Sequence, residues 1–139
     1  ASPVLIFGNG RFGQVVARLL QANKIQTTIL DHDPKQIDTM RRFGWEVFYG
    51  DVMDMELLHA AGAEKAKLLV LAINDRDKSV EAASLIKQKY PHLKIYARAY
   101  DRRHAYELSK VGVDYFERET FHAALNMGRE VLIGLGYRA

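Results

Sequence analysis

Hydrophobic and polar positions alternate in blocks along the chain: short apolar runs are followed by longer stretches in which apolar residues recur every three or four positions. Val4-Leu5-Ile6-Phe7, stopped by Gly8, is the pattern of a strand buried on both faces. Over residues 11–22, Phe12, Val15, Val16, Leu19 and Leu20 fall on one stripe with Arg11, Gln14, Arg18 and Gln21 opposite, which predicts a helix. A second strand is predicted over 27–30. Asp33 is set to cap a helix that carries Pro34 at its first position, runs over 34–43 and ends at Gly44. The same reading predicts strands over 45–49, 67–73, 94–97 and 115–116, and helices over 55–61, 78–90, 102–111 and 120–135, with Pro91 closing the second of these. Six strands separated by helices, with short connections and no Pro/Gly/Ser linker, predict an α/β fold: a Rossmann-like, doubly wound parallel six-stranded sheet with helices on both faces. A single domain over 1–139 follows, with 3–118 as its core and 119–139 as a C-terminal helix.

The first turn of this pattern carries chemistry. Gly8-Asn9-Gly10-Arg11-Phe12-Gly13 matches G-x-G-x-x-G and lies between the first strand and the first helix. Gly8 permits the tight turn, Gly10 leaves room for a phosphate, and Gly13 lets the helix press on the sheet. The helix amides and dipole then face an anion, with Arg11 as an added charge. Asp31, at the end of the second strand, can accept hydrogen bonds from ribose hydroxyls and repels a 2′-phosphate. His32 could flank the ribose. Asp51, with Val52 beside it, lies where an adenine edge would fall, and Asn74-Asp75 approaches from the switch point; each acid also fits a polar turn. Arg98, at the end of the fifth strand, could clamp phosphates in a bidentate way or form a surface ion pair.

Composition narrows the function. The chain has 139 residues, 48% hydrophobic and 27% charged, which fits one globular domain. The net charge of +3 is interleaved, so no basic stripe suits nucleic acid. Without cysteine there is no disulfide, thiolate metal site or thiol nucleophile. The longest wholly apolar run, 68–73, is far short of the roughly 20 residues that cross a bilayer. The start Ala1-Ser2-Pro3 resembles an excised domain more than a secretory precursor. Histidines 32, 59, 92, 104 and 122 show no zinc-binding spacing, and most are expected at the surface or at caps. Neither a hydrolase elbow nor a P-loop occurs, and no substrate domain or proton relay is visible. The residues therefore suggest a non-enzymatic domain that binds an adenine nucleotide and signals it onward. A small NAD-dependent oxidoreductase, or the cofactor half of one, is the alternative.

Ile6 to Gln14, Leu30-Asp31-His32-Asp33-Pro34, Val47 to Asp51, Ala97-Arg98-Ala99 with Asp101, and Glu117-Arg118-Glu119-Thr120-Phe121 together resemble the KTN (RCK, TrkA-N) domain of Kef potassium efflux systems. The resemblance covers essentially the whole chain and implies a cytoplasmic regulatory domain of a membrane-embedded potassium/proton antiporter. It implies a homodimer, AMP or NAD(H) in the nucleotide site, and gating by glutathione and its adducts, with an ancillary flavin oxidoreductase as a further partner. Arg18, Phe43 and Arg118 are the glutathione candidates by position in the family motifs. Two carboxylates in that ligand call for spaced arginines, and the bulk of an adduct calls for an apolar wall. The last helix, with Phe121, Ala124, Leu125, Met127, Val131, Leu132 and Leu135, has an apolar band wide enough to reach a second subunit or to cap its own sheet.

Overall fold

The computed structural model describes residues 2–8, 10–118 and 121–138. Its elements run β1 (Val4–Phe7), α1 (Arg11–Ala22), β2 (Thr27–Asp31), α2 (Pro34–Arg42), β3 (Glu46–Tyr49) and α3 (Met55–Ala60), then β4 (Leu68–Leu71), α4 (Arg76–Lys89), β5 (Lys94–Ala99), α5 (Arg102–Lys110), β6 (Tyr115–Arg118) and α6 (Phe121–Gly134). Thr120, the expected start of the last helix, lies outside the described residues.

All six strands are parallel, in the order β3-β2-β1-β4-β5-β6. Alternate residues of β1 feed opposite cores, as the two-residue period of a strand requires. Val4 and Ile6 join α1, α2 and α6, whereas Leu5 and Phe7 join the layer of α3, α4 and α5. The α1 stripe Phe12, Val16 and Leu20 is buried on the sheet, each side chain contributing about 1.5–3 kcal/mol relative to exposure.

Four helices begin at an aspartate whose carboxylate accepts first-turn amides: Asp33, Asp54, Asp75 and Asp101. Three boundaries depart from expectation for that reason or its counterpart, and β4 is shorter at both ends than the expected 67–73. The fourth helix starts at Arg76, because the Asp75 cap nucleates it, two residues before the expected 78. The fifth and sixth strands run on to Ala99 and Arg118, because β5 and β6 pair in register there, Arg98 with Glu117 and Ala99 with Arg118.

α6 packs on its own chain. Ala124, Met127 and Val131 are buried in the α1 layer, and Gly128 comes so near Leu19 that a Cβ there would stand 2.3 Å from Cδ2. Leu125 and Ile133 stay exposed. Among the described residues no helix is long and apolar enough to cross a membrane.

Candidate functional site

The chain order reverses between β1 and β4, and the carboxyl ends of these neighbours open a crevice. Gly8 bridges them. Its amide donates to Leu30 O at 2.9 Å, and the Ala72 amide donates to Phe7 O at 2.8 Å. With φ at +99° and a hypothetical Cβ only 2.3 Å from Ala72 O, position 8 accepts glycine alone. A Cβ on Gly13 would stand 2.1 Å from Gly8 O, so α1 can approach the loop only without one.

Gly10 is different. It is the N-cap of α1, in extended backbone at φ −77°, and a Cβ would meet nothing within 4 Å. No packing constraint explains this glycine; space over the helix terminus does. Among the described residues no side chain caps α1, and its first turn holds no acidic residue. Its leading amides therefore face an open, electropositive end suited to a phosphate. Arg11 is exposed beside it, whereas Phe12 is buried in the core and serves packing. Asn9 lies outside the described residues.

Beyond the loop lies a cleft of about 160 Å³ lined by Phe7, His32, Asp51, Val52, Ile73, Asn74, Asp75 and Lys78. His32, Asp51, Val52, Asn74 and Asp75 are thus brought together, although they come from three separate loops. Asp31 is only 5% exposed, and its Oδ1 accepts the Asp33 amide at 3.0 Å, so it also holds the β2–α2 turn. Asp75 caps α4 through the Lys78 amide at 2.9 Å. The Asp51 carboxylate accepts from Lys78 Nζ and from the Met53 amide, both at 2.8 Å, and these bonds hold its pKa below the usual carboxylate value.

Arg98 is not at the surface. It is 3% exposed, and Nη2 donates to Ile73 O at 2.8 Å, to Asn74 Oδ1 at 3.3 Å and to the Tyr100 hydroxyl. It thus fixes the β4–α4 loop that forms one wall of the cleft. Tyr100 also donates to the Asn74 carbonyl, and the Arg98 guanidinium lies 4.3 Å from its ring centroid. His104, unlike what is expected of most of the histidines, is fully buried. Its Nδ1 accepts the Tyr100 amide at 3.1 Å, so Nε2 bears the proton and donates to Ser79 Oγ at 3.0 Å. Lys78, Tyr100 and His104 were not singled out from sequence; the only local signal was an aspartate three residues ahead of Lys78 at a helix start.

The three glutathione candidates do not share a pocket. Arg18 is exposed on α1, one turn before Gln21, whose amide donates to Phe43 O at 3.4 Å. Phe43 is 59% exposed just ahead of β3, and its ring meets Trp45 edge-on at 6.4 Å. Arg118 ends β6 at the other edge of the sheet, in a cleft of about 440 Å³ with Arg102, Ala105 and Phe116. Five strand spacings separate the two edges, roughly 24 Å. Another groove of about 440 Å³, lined by Ser2, Thr27 and Trp45, lies at the amino ends of the strands, away from the crevice after β1.

The TrkA-N domain family model matches residues 4–117. The Kef CTD of Shewanella denitrificans in its AMP-bound form is 53% identical over 96% of this chain and 80% of that one, with a TM-score of 0.76. The TrkA-N domain of an Escherichia coli inner membrane protein is 24% identical over 95% and 98%, with a TM-score of 0.81. The GsuK channel bound to NAD is 21% identical over 97% of this chain and 25% of that one, with a TM-score of 0.76. The latter two share the fold.

Proposed function

Because the chain belongs to the TrkA-N family, among its Kef-type members, we propose that it is a regulatory domain of potassium transport that binds an adenine nucleotide, AMP foremost, in the crevice after β1. The observation that carries this reading is the uncapped α1 terminus under the open space at Gly10. The phosphate sits on the leading amides of α1, with Arg11 beside it. The adenosine runs past His32 toward Asp51, Val52 and Asn74, and Asp31 receives the ribose hydroxyls. AMP is favoured by the Shewanella relative, which was solved in its AMP-bound form; NAD or NADH in the same crevice is the alternative ligand.

In this reading the domain is not an enzyme. It lies on the cytoplasmic side of the membrane, attached to the potassium/proton efflux antiporter that it gates. Glutathione and its adducts act through Arg18, Phe43 and Arg118. Phe43 lies beside the β3 edge and Arg118 ends β6 at the other edge, and a homodimer is the assembly in which this reading brings them to one ligand. The exposed Leu125 and Ile133 of α6 are the apolar residues available to such a pairing. An ancillary flavin oxidoreductase is a further partner in this scheme.

Thermal unfolding with AMP, NAD and NADH, joined to a hydride-transfer assay, tests the reading. AMP alone is expected to raise the melting temperature, with no turnover of either dinucleotide. A rise confined to the dinucleotides, followed by substrate reduction, would replace the regulator with the oxidoreductase.

A further inference from the structure

Asp51 and Lys78 are 27 residues apart in sequence and meet across the crevice. Asp51 follows the edge strand β3, Lys78 lies in the first turn of α4 after β4, and the ends of β2 and β1 lie between them. Both line the cleft, so their bridge forms part of its wall. The two carboxylate oxygens of Asp51 are both engaged, Oδ1 by the Met53 amide and Oδ2 by Lys78 Nζ. These two partners differ in how easily they leave. The Met53 amide belongs to the turn that begins at Asp51 itself, whereas the lysine reaches in on a flexible stem and its side chain is 40% exposed.

Resting on the nucleotide reading above, we propose that the Asp51–Lys78 pair is a latch over the purine end of the crevice, and that an adenine nucleotide binds by displacing Lys78 from Asp51. The exocyclic amine of the base donates to the oxygen that Nζ gives up, and the ammonium returns to water. The latch is closed in the free chain, with Nζ 2.8 Å from Oδ2, and the pairing favours the ionised state of both partners, lowering the pKa of Asp51 and raising that of Lys78. Exposed ion pairs are weak, which suits a latch: opening it should reduce affinity only about 2- to 5-fold.

Calorimetric titration of the chain with uncharged adenosine and with AMP tests this, comparing the wild type with Lys78→Met and Lys78→Arg. Lys78→Met is expected to bind adenosine about 2- to 5-fold more tightly, and Lys78→Arg, which keeps the cation, to bind like the wild type. Raising the salt from about 25 to about 500 mM should tighten adenosine on the wild type more than on Lys78→Met, since screening opens only a latch that exists. Unchanged or weaker adenosine binding by Lys78→Met, with the wild type binding both ligands, overturns the latch alone. If no variant binds either ligand, the nucleotide reading fails and the latch falls with it.

Discussion

Two glycines of one loop are required for different reasons, and the difference separates folding from function. At Gly13 a methyl group would collide with the Gly8 carbonyl, a backbone atom that cannot turn aside. Gly13→Ala should therefore destabilise the chain by about 1–3 kcal/mol in denaturant unfolding, and unchanged stability would mean that α1 can retreat from the loop. At Gly10 the same group would meet nothing, so this position is open to a ligand. The G-x-G-x-x-G spacing was legible in the sequence because Gly8 and Gly13 answer local demands of the strand–helix turn and Gly10 falls between them at the helix start. Arg98 was less so. Its place at the end of β5 could be read, but its bonds to Ile73 and Asn74 depend on a loop 24 and 25 residues away. Lys78 went unnoticed for the same reason, since nothing near it in sequence announces Asp51.

At the scale of elements, the apolar runs and periodic stripes located all twelve strands and helices, and the misses fell at their ends. Those ends are set by caps and by strand register, which are pairings rather than patterns. The joint between α4 and α5 is another pairing. Ser79 on α4 holds the buried His104 of α5, which in turn holds the Tyr100 amide. Burial lowers the His104 pKa below its ordinary value, so the folded chain keeps the imidazole neutral. Below about pH 6.5 the unfolded chain takes up a proton that the folded chain refuses, and stability falls as the pH drops through that window toward the folded pKa. Asp51 and Asp101, whose carboxyls lie below their usual values, act in a separate window under about pH 4. Unfolding free energy measured from pH 7 to 5 should fall for the wild type and fall less steeply for His104→Gln. Equal slopes would contradict a neutral, buried His104.

Across the whole molecule, the alternation of strands and helices led directly to the doubly wound sheet, because parallel strands buried on both faces need a helix between each pair. What the sequence could not supply was distance. Phe43 lies beside the β3 edge of the sheet and Arg118 ends β6 at the other edge, so the separation of these two candidates is read only from the fold. The crevice proposed for the nucleotide, in contrast, is formed within one chain from loops that meet where the strand order reverses. Its central requirement is that the leading amides of α1 receive a phosphate. Calorimetric titration of AMP into the wild type and Gly10→Asp tests this most directly. An aspartate at this N-cap suits the extended backbone and should raise the stability of the unliganded chain by a few tenths of a kcal/mol. It would also occupy the amides and repel the phosphate. We predict saturable AMP binding by the wild type and a loss of about 10- to 100-fold in Gly10→Asp, whose melting temperature without ligand is unchanged or higher. Equal AMP affinity in the two proteins would contradict it.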